Sequence, residues 1–159
     1  MTTYYTFLDT PIGSLLLAGE GRHLTRVGFA RDGEPEAPHP MWVRDDVRFE
    51  SAKAQLLDYF SGNRREFALD LLPQGTEFQK KVWKTLLSIP YGETRSYGWL
   101  ANEIGNPAAS RAVGAANGAN PIPIIVPCHR VIGASGALTG FGGGLPVKKF
   151  LLELEGYEG

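Results

Sequence analysis

A small α/β domain followed by a mainly α-helical domain is the fold predicted for this chain of 159 residues. Three observations predict it: short β-rich runs crowd the first thirty residues, a helical period takes over near Phe49, and capped helical patterns dominate after a break at Leu72-Pro73-Gln74-Gly75. One domain is expected over residues 1–75 and a second over 76–159.

Thr3 to Phe7, Ser14 to Ala18 and Leu24 to Phe29 are β-rich runs separated by Thr10-Pro11-Ile12-Gly13 and Gly19-Glu20-Gly21. Such runs and turns predict an antiparallel meander. Arg31 to Pro40 is charged and proline-rich, which marks a loop. Phe49, Ala52, Leu56, Tyr59 and Phe60 recur at helical spacing up to Ser61-Gly62-Asn63, and Phe67, Leu69 and Leu71 then alternate like a final strand.

In the second half, Thr76 and Gln79 form a capping box ahead of Phe78, Val82, Trp83, Leu86, Leu87 and Ile89, a helical core face that Pro90 ends. Ser96 caps a short helix through Ile104, Gly105-Asn106-Pro107 breaks it, and a second helix runs from Ala108 to about Gly118. Two short helices on a tight glycine turn make a helix-turn-helix. The second is nearly bare: Ala108, Ala109, Ser110, Ala112, Gly114, Ala115 and Ala116 surround one long cationic side chain, Arg111. A helix of that kind either packs closely on another helix or enters the narrow minor groove of DNA, where one long side chain can be pushed into the base stack. Composition leaves both open.

The whole chain excludes several classes. With 43% apolar residues it can build a core, and no apolar stretch approaches membrane-spanning length. Met1-Thr2-Thr3-Tyr4-Tyr5 has neither the basic head nor the apolar core of a signal peptide, so a cytoplasmic location is expected. One cysteine permits no internal disulfide, in keeping with a reducing compartment. His23, His39, His129 and Cys128 are too scattered for a zinc site, and neither a metal nor another cofactor is expected. The net charge of −1 hides a split, with −3 over residues 1–75, +5 over 76–150 and −3 over the last nine. A basic central block suits a nucleic-acid surface, although such an excess is common on ordinary surfaces.

Cys128 lies in Ile122-Pro123-Ile124-Ile125-Val126-Pro127-Cys128-His129-Arg130-Val131. A free cysteine on an apolar segment is ordinarily a small buried hydrophobe. Its neighbours favour a nucleophile. Only about a few per cent of an ordinary thiol is ionised near neutral pH, and His129 is placed to take the proton directly or through a water while an acid holds the imidazole tautomer. Pro121, Pro123 and Pro127 fix φ and remove three donors, so an extended, rigid segment is expected. The thiol would sit at the mouth of the buried element that Val131 and Ile132 resume before Gly133-Ala134-Ser135-Gly136.

These residues carry a resemblance. Arg111-Ala112-Val113-Gly114-Ala115-Ala116-Asn117-Gly118, Asn120-Pro121, Pro127-Cys128-His129-Arg130-Val131, Gly142-Gly143-Gly144-Leu145 and Leu151-Leu152-Glu153-Leu154-Glu155-Gly156 together closely resemble the O6-alkylguanine-DNA alkyltransferases, or methylated-DNA–protein-cysteine methyltransferases. The likeness is continuous from about Thr76 to Gly156; the N-terminal third agrees in its Thr10-Pro11-Ile12-Gly13 hairpin. Length and architecture look like the bacterial single-unit form. The resemblance implies a ribonuclease-H-like α/β domain and a C-terminal helix-turn-helix domain of winged-helix type.

It also implies a reaction: the Cys128 thiolate takes the alkyl carbon from guanine O6 in one in-line displacement, so each molecule acts once. His129 would deprotonate Cys128 through a water, Glu155 would orient His129, and Tyr97 would donate to the guanine ring. Arg111 resembles the finger that fills the gap left by the flipped nucleotide, with Ala109, Ser110, Ala112 and Gly114 as the surrounding DNA-binding surface. Asn120 would hold the turn that carries Cys128. Val131 and Gly142 would contact the base through backbone groups beside Phe141 and Pro123, and Lys148 either adds charge near the pocket or is an ordinary solvated lysine. The implied partner is double-stranded DNA containing O6-alkylguanine, approached through the minor groove by a monomer.

The chain departs from the family pattern in places. Phe141-Gly142-Gly143-Gly144 is a barer lid than in some relatives, which suits larger O6-alkyl groups or O4-alkylthymine. Ser110 adds a hydroxyl to the bare helix, Trp99 is large for the first helix, and the cysteine and histidine set that binds structural zinc in some members is missing. Two rival readings stay open. A Cys-His hydrolase would need an oxyanion hole that nothing announces. A lesion sensor would bind DNA without chemistry, and Cys128 counts against it because the lesion-sensing relatives lack that cysteine.

Overall fold

A computed structural model describes residues 1–157; Glu158 and Gly159, the end of the expected second domain, lie outside the described residues. The chain divides into two compact units, Met1–Pro73 and Gln74–Gly159.

In the first unit β1 (Thr3–Thr10), β2 (Gly13–Glu20) and β3 (His23–Gly28) form the antiparallel meander. Thr10 closes its first hairpin: Oγ1 accepts from Ile12 N at 3.2 Å and donates to Gly13 O at 2.7 Å. Leu15, Leu16, Leu17 and Ala18 are all fully buried, so both faces of the central strand β2 are covered. After a 3₁₀ turn at Val47–Phe49, α1 (Glu50–Phe60) packs on β1 and buries Ala52, Leu56, Tyr59 and Phe60.

Two expectations change here. A short strand β4 (Val43–Arg44) runs parallel to β1, giving the order β3-β2-β1-β4; two residues are too few to show a period. Phe67, Leu69 and Leu71 do not form a strand. Leu71 makes one bridge to Leu24, through Leu24 N to Asp70 O and Leu72 N to Leu24 O, both 2.8 Å. Ala68 is bonded instead by a helix side chain: its N–H donates to Gln55 Oε1 at 2.8 Å and its carbonyl accepts from Gln55 Nε2 at 3.1 Å. Gln55 thus satisfies backbone groups that a neighbouring strand would otherwise have paired.

In the second unit α2 (Glu77–Leu86), α3 (Tyr97–Glu103) and α4 (Ser110–Gly118) pack on one another. The capping box is complete, with Gln79 N to Thr76 Oγ1 at 3.1 Å and Thr76 N to Gln79 Oε1 at 2.9 Å. Val82, Trp83, Leu86 and Ile89 are buried, each contributing roughly 1.5–3 kcal/mol. Leu87, expected on that face, is exposed because regular winding stops at Leu86. Ser96 caps α3 by accepting from Trp99 N at 3.0 Å, and Gly105 at φ 79° supplies the left-handed residue after the helix. α4 begins at Ser110 rather than Ala108, since the preceding residues form a turn closed by Ala109 N to Asn106 O at 3.0 Å.

β5 (Arg95–Ser96) pairs in parallel with β6 (Val131–Ile132), and α5 (Leu145–Leu154) packs on a 3₁₀ turn at Cys128–Arg130. The cysteine is therefore not on an extended segment. Pro127 precedes the turn and its carbonyl accepts from Arg130 N at 3.1 Å, a role in which the missing proline donor costs nothing. No helix among the described residues is long and apolar enough to cross a membrane.

Candidate active site

The approach to Cys128 is held by side-chain amides. Asn120 donates from Nδ2 to Val126 O at 2.8 Å and accepts Ile122 N at Oδ1 at 3.0 Å, while Val126 N bonds to Ile122 O at 3.0 Å. This clamp encloses Ile124, a buried β-branched residue at φ 75°, a conformation that costs about 1–3 kcal/mol and persists only where its surroundings enforce it. Asn117 on α4 donates from Nδ2 to Cys128 O at 3.3 Å, joining the bare helix to the cysteine turn. Sequence reading assigned Asn117 no role. The signal was available: an amide on the same helical face as Val113 and Ala116, all three buried.

Cys128 and His129 open the 3₁₀ turn and are 4% and 0% exposed. The thiol is buried rather than at a mouth, because the turn folds it inward. Beyond the end of α5, Glu155 meets this turn. His129 Nε2 lies 2.7 Å from Glu155 Oε2, Arg130 Nε donates to Glu155 Oε1 at 2.7 Å, and Arg130 Nη2 donates to Oε2 at 3.1 Å. Arg130 Nη1 donates to Ile89 O at 2.7 Å. Gly92 also serves the carboxylate, its N–H donating to Oε1 at 3.3 Å; a Cβ there would come within 3.0 Å of Glu155 O.

Electrostatics follow from this packing. Burial pushes the Glu155 carboxyl up, but the hydrogen bonds and charges of His129 and Arg130 prevail and hold it at about 2. An ionised carboxylate only accepts, so His129 Nε2 carries the proton and Nδ1 is left with its lone pair. Nδ1 is buried and has no hydrogen-bond partner among the described residues. Burial, reinforced by the Arg130 and Lys148 charges, holds the imidazole below its ordinary range against the pull of Glu155. Burial likewise raises the Cys128 thiol to about 11, although the Asn120 amide and the Lys148 charge pull it down. The resting pair is therefore a thiol beside a neutral base.

Lys148 is no solvated lysine. It is fully buried on α5, with Nζ donating to Val131 O at 2.7 Å and Thr139 O at 2.8 Å, and burial lowers its amine to about 8. Thr139 Oγ1 in turn donates to Tyr97 Oη at 3.0 Å. Tyr97 opens α3, and a Cβ on Gly114 would lie 3.8 Å from its ring, so Gly114 borders Tyr97. Ser110, Arg111 and Ala112 are exposed on the first turn of α4, Ala109 is half-buried, and that helix start has no side-chain cap. Pro123 is buried, whereas Phe141 is half-buried and Gly142 exposed in the loop ahead of α5. The structure thus places Cys128 and His129 on one turn with Glu155 against it, Asn120 bonded to the segment before that turn and Lys148 bonded to Val131 just after it, and sets Arg111 apart on the surface.

Two family models match, the 6-O-methylguanine DNA methyltransferase ribonuclease-like domain over residues 3–73 and its DNA binding domain over residues 77–157. The chain belongs to the 6-O-methylguanine DNA methyltransferase family. Within that family, a methylated-DNA–protein-cysteine methyltransferase of Methanosarcina acetivorans is 54% identical over 153 residues, covering 96% of this chain and 98% of the relative. One from Mycobacterium bovis is 56% identical over 153 residues, covering 96% and 92%. Among solved structures, Mycobacterium tuberculosis OGT in complex with DNA superposes with a TM-score of 0.90 at 55% identity, covering 96% of this chain and 92% of that one. The two-part methyltransferase fold, a sheet-bearing N-terminal unit and a helical C-terminal unit, is therefore the fold of this chain.

Proposed function

We propose that the chain reverses alkylation damage in double-stranded DNA by moving the alkyl group of O6-alkylguanine onto Cys128. The observation that carries this is a buried thiol next in sequence to an imidazole whose Nε2 is engaged by an ionised carboxylate and whose Nδ1 keeps its lone pair. His129 accepts the thiol proton through a water, Sγ bonds to the alkyl carbon, the carbon–O6 bond breaks, and the electron pair leaves on O6. Tyr97 supplies the proton that settles that pair on the guanine ring. A thioether is a poor leaving group, so the chain is consumed as a reactant.

A buried thiol reaches a base only when the base leaves the stack. The exposed first turn of α4 enters the minor groove with Ala109, Ser110, Ala112 and Gly114 as its low profile, and Arg111 fills the vacated place. The uncapped N–H groups at that helix start suit a phosphate. Val131 and Gly142 offer backbone groups to the extruded base, with Phe141 and Pro123 beside it. In this reading the first unit is ribonuclease-H-like, the second is of winged-helix type, and the protein works as a monomer in the cytoplasm.

Mixing the chain with a duplex containing O6-methylguanine and measuring intact mass tests the reading. A gain of one methyl group, mapped to Cys128, is expected. Tight binding with unchanged mass would overturn it in favour of lesion sensing.

A further inference from the structure

Arg130 is a buried partner of Glu155 to which the reaction above gives no task. Its guanidinium grips the carboxylate that holds His129, with Nε on Oε1 at 2.7 Å, Nη2 on Oε2 at 3.1 Å, and Nη1 anchored on Ile89 O at 2.7 Å. Glu155 Oε2 therefore serves His129 and Arg130 together. The arginine is permanently cationic, so it cancels the Glu155 charge, and with a neutral imidazole the three side chains sum to zero. A proton added to His129 would leave a net positive charge among groups withdrawn from water. Lys148, the other cation acting on the ring, opposes it further, and Cys128 is uncharged as a thiol. Without Arg130 an uncompensated carboxylate 2.7 Å away would draw that proton onto the imidazole, and an imidazolium has no lone pair with which to accept one from a thiol.

We propose that Arg130 is a positioning residue for alkyl transfer: its two-point grip on Glu155 neutralises that carboxylate and keeps His129 an uncharged base with Nδ1 open. The assignment rests on the Cys128–His129 reading given above. Arg130 acts through Glu155 and touches neither the alkyl group nor the base.

Nitrogen NMR of His129 and single-turnover rates on an O6-methylguanine duplex, both followed against pH on the full chain, test it. In the wild type the ring stays in its neutral Nε2–H form down past the ordinary midpoint of about 6.5. In Arg130→Met the midpoint rises by at least about one unit to lie above neutrality, and the rate falls at least about twofold at about pH 7 yet recovers under alkaline conditions. Arg130→Lys, which keeps the charge without the fork, lies between. A wild-type imidazolium at neutral pH overturns the proposal without any variant. So does an Arg130→Met loss of rate that is equal at every pH, which marks a purely structural role. If the wild type transfers no methyl group, alkyl transfer fails as a reading, while the NMR titrations still decide what Arg130 does to His129.

Discussion

His129 Nε2 and Glu155 Oε2 stand 2.7 Å apart with both side chains wholly withdrawn from solvent. That contact decides which ring nitrogen is protonated, and so which one can serve the neighbouring thiol. It also makes Glu155 the keystone of stability in this unit, because Arg130 depends on the same carboxylate. Glu155→Ala leaves a buried arginine without a counter-charge and should cost about 3–5 kcal/mol in urea unfolding, as well as slowing transfer.

The same carboxylate predicts an acid-sensitive stability. Its folded pKa of about 2 lies below the ordinary 4.5, so the unfolded chain binds the extra proton between those values and stability rises with pH across them. The Glu155 contribution is complete above about pH 4.5 and fades as pH falls toward 2. Melting temperatures of wild type and Glu155→Gln should therefore converge as pH falls through that window.

Cys128→Ser should bind a lesion-bearing duplex and transfer nothing, as read by gel shift and intact mass. Arg111→Ala should keep reactivity toward free O6-benzylguanine and lose it on duplex DNA, because Arg111 lies exposed on α4 outside the buried network. Equal loss on both substrates would remove the finger assignment.

Lys148 ties β6 to the loop at Thr139 through two carbonyls. Lys148→Met strips both of their donor and should destabilise the unit by about 1–3 kcal/mol for the buried Val131 carbonyl left unpaired, the exposed Thr139 carbonyl being open to water. The pH dependence has its own sign. The folded amine at about 8 lies below the ordinary 10.5, so the unfolded chain binds more protons between these values and the wild type gains stability as pH rises. Thermal melts should show the gap between wild type and Lys148→Met widening from about pH 8 to 10.5.

A Cβ on Gly142 would meet nothing closer than Gly118 O at 4.0 Å, so Gly142→Ala stiffens the lid without a clash. If the bare lid admits bulky adducts, the ratio of benzyl to methyl transfer rates should fall in this variant. An unchanged ratio would assign size tolerance elsewhere.

What could be read from the sequence was local. The Thr76–Gln79 box, the Ser96 cap, the meander and the adjacency of Cys128 to His129 each depend on residues a few positions apart, where capping and periodicity act. Ala68 defeated the same reasoning, since alternation at Phe67, Leu69 and Leu71 cannot reveal that the Gln55 side chain takes the backbone bonds of a strand. Glu155 was named by resemblance alone, and Asn117 was passed over.

By itself the sequence determined the meander, the capped helices, the adjacency of the single cysteine to a histidine and the bare helix with its single arginine, because residue order, short-range sterics and local hydrogen bonding dictate them. The tertiary structure alone decided that Glu155, 26 residues beyond His129, closes on it together with Arg130, and that Lys148 is buried between two carbonyls. Charge state in a dry interior depends on which groups approach one another in space, and no spacing along the chain records that.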